Sequence, residues 1–220
     1  MSPDITLLYY TANIIPDSFA SNIRNYLLSI SNGISIVSVS QKPIDFGKNI
    51  CVGDIGQSIP NVYKQILIGA KESKTRFVAC CEDDTIHLRE HFEQEMESDT
   101  FYYNFRWNLT SENFYYRQGR YGMCTCIAPT ELLIKNLEEK FEKYNSGSSQ
   151  VVFAEPGRRE RHSEISLVKV KMFSSNDIPS INFKHKKGLS RKSKALKTDI
   201  ILKSLPRWGN ASELWNKFYG

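Results

Sequence analysis

The chain has 220 residues, 40% of them hydrophobic, with 12 Phe, 11 Tyr and 3 Trp, enough for one well-filled domain core. No run approaches the roughly 20 apolar residues that cross a bilayer, and the opening MSPDITLLYY lacks the basic segment and cleavage site of a secretory signal, so a cytoplasmic protein without a membrane span is expected. The net charge of +5 is uneven: residues 1–155 carry 14 basic and 19 acidic side chains, residues 156–220 carry 15 and 5, which leaves a basic end that either serves solubility or meets a diphosphate, nucleic acid or lipid headgroup.

Residues 5–10 (ITLLYY) form a continuous apolar run, the pattern of a strand buried on both faces. Pro16-Asp17-Ser18 opens a helix whose stripe runs Phe19, Ile23, Tyr26, Leu27 and Ile30, and Asn32-Gly33 stops it. Residues 34–39 read as a second strand. A loop with Gly47, Gly53 and Gly56 leads to a helix capped by Ser58, with Pro60 in its first turn and Val62, Ile66 and Ala70 on one face. Residues 76–81 (RFVACC) give a third buried strand that ends at Glu82-Asp83-Asp84. The β-α-β-α-β alternation implies a parallel, doubly wound sheet with its ligand at the carboxyl ends of the strands.

Further on, residues 88–97 suggest a short amphipathic helix. Residues 101–107 and 121–127 suggest strands on either side of Phe114-Tyr115-Tyr116. Residues 129–143 read as a helix with Leu133, Leu137 and Phe141 in register, and residues 145–149 as a loop. Residues 166–173 and 178–184 read as strands, and Ser212 as the cap of a last helix. Cys51, Cys80, Cys81, Cys124 and Cys126 show neither CxxC pairs nor zinc spacing. The last four lie in strand-like runs and read as buried apolar groups.

The acidic triplet carries the functional argument. Three like charges that end a buried strand must be solvated or neutralised by a cation, and hard divalent ions take oxygen ligands, often one or two carboxylates plus substrate phosphates. An ordinary solvated turn is the competing reading. The succession of a βαβαβ half and a strand-ending acidic triplet resembles the GT-A glycosyltransferases, particularly the family-2-like group. That resemblance implies an α/β fold of GT-A type, with a Rossmann-like N-terminal half and a mixed central sheet flanked by helices. It also implies Mn²⁺ or Mg²⁺ held by an acidic "DxD" motif on the diphosphate of a sugar nucleotide, a UDP-sugar foremost. Glu82, Asp83 and Asp84 match the motif, with Asp84 the main metal contact and Glu82 in place of the usual first Asp.

The same resemblance extends to Gly122 after a mid-chain strand, to Glu155 as the base, and to His185 as a residue that reaches the metal or diphosphate. One domain is then expected, with residues 1–85 as the nucleotide-sugar half, 86–180 as the acceptor half and 181–220 as a basic segment. His185 lies among Lys184, Lys186, Lys187, Arg191 and Lys192, a setting suited to a diphosphate or metal. His87, His91 and His162 have no such context and read as structural.

Glu160 competes with Glu155 as base, but Arg158, Arg159 and Arg161 around it stabilise its charged form and make it the weaker base. Thr11-Ala12-Asn13, Ser40-Gln41, Asp54 and Asn61 follow strand ends or precede a helix, where a nucleotide would lie. Each suits a turn or cap equally well. Trp107, Tyr115 and Tyr116 offer an acceptor platform or core packing. The acceptor expected from size and the basic end is nucleic acid, as in phage transferases that modify hydroxymethylated bases, with a cell-surface glycan as the alternative. A metal-dependent nucleotidyltransferase and a non-catalytic nucleic-acid-binding module are the rival classes.

Overall fold

The computed structural model describes residues 4–119, 121–143, 155–156, 168–173, 177–189 and 195–220. Strand β1 (Ile5–Thr11) leads through helix α1 (Asp17–Ser31) to β2 (Ser35–Ser40) and the short β3 (Lys48–Cys51). Helix α2 (Ile59–Glu72) returns the chain to β4 (Phe77–Glu82), followed at once by β5 (Thr85–Ile86). Then come β6 (Thr100–Tyr103), β7 (Arg106–Leu109), β8 (Phe114–Tyr116), β9 (Cys126–Pro129) and helix α3 (Thr130–Lys143). The last stretch holds β10 (Lys169–Met172), β11 (Ser180–Phe183) and β12 (Ile200–Leu202). A hairpin of β13 (Ser204–Leu205) and β14 (Gly209–Asn210) precedes helix α4 (Ala211–Tyr219).

The central sheet runs β10-β6-β9-β4-β1-β2-β3. Strands β3, β2, β1 and β4 are parallel, and β9 is antiparallel to both β4 and β6. A second sheet runs β12-β8-β7-β11-β5. The parallel N-terminal half and the mixed central sheet flanked by helices make the α/β architecture that the sequence implies.

Strand periodicity builds two cores. Along β1, Ile5, Leu7 and Tyr9 enter one cluster while Leu8 and Tyr10 enter the other, as the two-residue repeat requires. Helices α1 and α4 and the second sheet close the first cluster; α2 and α3 close the second. Helix α2 approaches β1 so closely that a Cβ on Gly69 would lie 2.1 Å from Leu8 Cδ1.

Several elements differ from the sequence expectation. The glycine loop contains β3, whose sequence KNIC is partly exposed at the sheet edge and has no apolar run. Residues 88–97 form only a 3-10 turn, Arg89–Glu93, which buries the neighbours His91 and Phe92 rather than a helical stripe. Residues 101–107 are two strands in different sheets, broken at Asn104. Its Nδ2 donates to Ile178 O at 2.7 Å and its Oδ1 accepts from Phe105 N at 2.8 Å. Residues 114–116 are themselves a strand, and a 3-10 turn, Met123–Thr125, precedes β9. Pro129 ends β9 rather than starting α3. Asn210, not Ser212, caps α4, its Oδ1 accepting from Ser212 N at 2.9 Å and Glu213 N at 3.4 Å. The loop expected at residues 145–149 lies outside the described residues.

Candidate active site

The carboxyl ends of β1, β2 and β4 lie side by side, with Thr11 in register with Ser40 and Tyr10 with Glu82. Three consecutive carboxylates follow here, Glu82 as the last residue of β4 and Asp83 and Asp84 in the turn to β5, and each meets different partners. Glu82 Oε1 accepts from the Tyr10 hydroxyl at 3.1 Å, and Asp83 Oδ2 from the Thr11 hydroxyl at 2.5 Å. Asp84 Oδ1 accepts from Asn182 Nδ2 at 2.6 Å and from the Thr85 hydroxyl at 3.0 Å. Its Oδ2 stands 3.3 Å from His185 Nε2.

The pairing of β11 with β5 explains how a residue so late in the chain arrives there. Phe183 N donates to Asp84 O at 2.8 Å, which carries Asn182, Lys184 and His185 alongside the triplet. The His185 side chain is only 4% exposed, and its Nδ1 has no hydrogen-bond partner among the described residues.

Crowding sets the electrostatics. Burial, then the charge of Asp84, raises Glu82 to about 8 and Asp83 to about 7. Burial also works to raise Asp84, but His185, Lys184 and the Thr85 hydroxyl outweigh it and hold that carboxyl below its ordinary value. Burial, then the nearby Arg106 charge, lowers the Lys184 ammonium.

Arg106, at the start of β7, completes the cluster. Its Nη1 donates to Cys124 Sγ at 3.6 Å. Glu82 and Glu155 lie within electrostatic reach, and Nε has no partner among the described residues. Burial disfavours the charge, yet Cys124 and the two carboxylates hold the guanidinium above its ordinary value. Burial, then Glu82, pushes the Cys124 thiol up to about 12. Glu155 is placed by its neighbour: Pro156 O accepts from the Tyr103 hydroxyl at 3.1 Å, at the end of β6. Sequence reasoning missed Arg106, which sits between Phe105 and Trp107 in what reads as an aromatic strand.

The residues expected at the nucleotide are tied by hydrogen bonds into a rim beside the ends of β1 and β2. Asn13 adopts φ 54°, a left-handed conformation that Asn tolerates, and its Oδ1 accepts from Gln41 N at 2.8 Å and Lys42 N at 2.9 Å. Gln41 Oε1 accepts from Ile55 N and Gly56 N, and Asp54 Oδ1 accepts from Gly56 N at 3.0 Å. Asn61 Nδ2 donates to Ile55 O and Gly56 O, and the Ser40 hydroxyl accepts from Asn49 Nδ2. Ala12 is partly exposed between Thr11 and Asn13. Gln57 Nε2 donates to Lys187 O at 2.7 Å, so the exposed Lys186 and Lys187 stand against the same rim. Arg191, Glu160 and His162 lie outside the described residues.

Trp107 and Tyr115 are core residues, 6% and 2% exposed, and Tyr116 packs on Trp107 with ring centroids 5.4 Å apart. The apolar cluster takes these rings up, so an acceptor platform there is not what the fold makes. His87 and His91 are fully buried and stacked at 4.5 Å. Cys80, Cys81, Cys124 and Cys126 are buried thiols, while Cys51 is exposed.

Among the described residues no three His, Cys, Asp or Glu side chains converge as a self-sufficient metal cage. Asp84 and His185 provide a pair of donors, with the carboxyl groups of Glu82 and Asp83 next in the chain at the strand end. These residues fit a hard divalent ion that takes one or two protein ligands and completes its shell with phosphate oxygens. No helix among the described residues is long and apolar enough to cross a membrane.

No protein-family model and no curated protein matches the chain. Among solved structures it is similar to a nucleotidyl transferase from Methanothermobacter thermautotroptrophicus, at 12% identity over 61% of this chain and 75% of that one, TM-score 0.43. It is similar to a glycosyltransferase involved in the glycosylation of the major capsid of PBCV-1, at 9% identity over 65% and 67%, TM-score 0.41. It is also similar to S. aureus TarS 1-349 in complex with UDP-GlcNAc, at 12% identity over 84% and 59%, TM-score 0.48. The chain thus spans between 59% and 75% of the length of these distant relatives in shape.

Proposed function

We propose that this chain is a metal-dependent glycosyltransferase, moving a sugar from a nucleoside-diphosphate donor, a UDP-sugar foremost, to an acceptor hydroxyl. The observation that carries this reading is the Asp84–His185 pair, 3.3 Å apart at the carboxyl end of β4, in the crevice where a parallel sheet receives its ligand.

Asp84 and His185 would hold Mn²⁺ or Mg²⁺, which when bound supplies positive charge against a leaving diphosphate. Asn182 and Thr85 fix the Asp84 carboxylate through their hydrogen bonds to Oδ1. Lys184 adds a preorganised cation from the end of β11. Glu155 takes the acceptor hydroxyl's proton as that oxygen bonds to the anomeric carbon and the bond to the diphosphate oxygen breaks. The rim of Ala12, Asn13, Gln41 and Asp54 borders the base and ribose. For the acceptor we favour a hydroxymethylated base in DNA, because Lys186, Lys187, Lys197 and Lys203 are exposed on the basic end.

The test is a panel of sugar nucleotides incubated with Mn²⁺, with and without hydroxymethylated DNA. Nucleoside diphosphate should be released only with the divalent ion, and sugar should appear on the DNA. EDTA-resistant hydrolysis sinks the metal reading. Transfer to glycan oligosaccharides but not DNA sinks the nucleic-acid acceptor. Pyrophosphate released from a nucleoside triphosphate and a sugar phosphate would move the protein to the nucleotidyltransferase class.

A further inference from the structure

Arg106 is a half-buried cation with one hydrogen bond among the described residues and a buried Nε. Its bond at 3.6 Å goes to a neutral thiol, and Nε has no partner among the described residues. Burying a guanidinium without direct anionic contact is costly. Lys184 lies within electrostatic reach of Arg106, where the two positive charges repel, and of Asp84.

Gly122 makes room for this guanidinium. Its backbone, at φ −155° and ψ 158°, is extended and open to any residue. A Cβ there would nonetheless lie 2.5 Å from Arg106 Nη1 and 3.4 Å from its Cζ. The missing side chain therefore serves the path of Arg106 and not a turn.

We propose that Arg106, together with Lys184, receives the diphosphate of the donor, its N–H fork donating to phosphate oxygens. A planar guanidinium matches phosphate in geometry as well as charge, and an anion set between the two half-buried cations relieves their repulsion. The inference rests on the glycosyltransferase reading of the site and deepens it. The diphosphate is gripped from β7 and β11, from beneath, and not only by the exposed lysines at the rim.

Inorganic pyrophosphate is the probe, titrated calorimetrically against the full chain with Mg²⁺ and with EDTA. Arg106→Gln should weaken binding by about tenfold or more, as loss of a charge-assisted hydrogen bond predicts. Arg106→Lys should lose less, since it keeps the charge without the fork. Gly122→Ala keeps every charge and displaces only the guanidinium, so it should weaken binding as well. It carries the test if thermal melts show Arg106→Gln unfolded. Pyrophosphate affinity within about twofold of wild type in a folded Arg106→Gln or Gly122→Ala overturns the inference. A wild type that still hydrolyses a sugar nucleotide then keeps the glycosyltransferase reading. A wild type that binds pyrophosphate through Arg106 yet hydrolyses no sugar nucleotide loses that reading instead.

Discussion

Replacing Glu155 by Gln keeps the side chain's shape, and Pro156 stays tied to the Tyr103 hydroxyl, but the proposed base is gone. Turnover should fall by about a hundredfold with donor KM little changed, the pattern of a lost general base. Equal loss in donor binding would mean that Glu155 is structural. Asp84→Asn tests the other half of the site. Asn182 and Thr85 can still hold the substituted side chain, so the fold should survive while Mn²⁺-dependent donor hydrolysis disappears. Retained Mn²⁺-dependent hydrolysis would count against metal binding at Asp84. The sequence offers both as candidates, the triplet because it ends an apolar run, Glu155 through the family resemblance and the Pro-Gly turn after it. Arg106 is not among them, because nothing in Phe105-Arg106-Trp107 says that a guanidinium comes within electrostatic reach of Glu82.

At the scale of elements, helix α2 lies close against the central sheet. Gly69 of α2 leaves no room for a methyl against Leu8 of β1. Gly69→Ala should therefore destabilise the fold by about 1–3 kcal/mol through overpacking, seen as a lower urea midpoint with an unchanged slope. An unchanged midpoint would mean that Leu8 simply turns aside. The β6–β7 corner rests on one polar side chain, since Asn104 bonds both Ile178 O and Phe105 N. Sequence periodicity reads residues 101–107 as one strand because it registers apolar content and not a change of sheet. Likewise β3 escapes it, for an edge strand that stays half exposed has no apolar run to show.

For the whole molecule, the stacked pair His87 and His91 makes stability depend on pH. Burial lowers His87 from 6.5 to about 3 and lowers His91 well below its ordinary value, the charge of His87 adding to the effect. In the unfolded chain both take up a proton near pH 6.5. Between about pH 3 and 6.5 the unfolded state thus binds more protons, so this contribution is complete above pH 6.5 and lost as pH falls. Glu82 and Asp83 act in the opposite sense. Their raised values of about 8 and about 7 give a contribution that is complete at low pH and lost as pH rises through them. Comparing wild type with His91→Phe, which keeps a ring in the stack, isolates the first effect. The denaturation midpoint of the variant should fall less steeply below pH 6.5, and an identical slope would rule the pair out as the cause.

Local signals decided five of the elements in the first 85 residues: apolar runs for β1, β2 and β4, Ser58 before α2, and Asn32-Gly33 after α1. Those signals depend on neighbours within a few positions, where side-chain periodicity and capping act. They also placed the acidic triplet at a strand end, and the order of elements implied where a ligand would sit. What the triplet's side chains do was settled only by long-range contact. Pairing of β11 with β5 brought His185 to Asp84 across about a hundred residues, and the β6–β7 corner aimed Arg106 back at Glu82. A charge read in sequence is a solvated charge. Burial between sheets raised Glu82 and Asp83, left Arg106 in need of an acceptor, and turned Gly122 into a passage for its guanidinium.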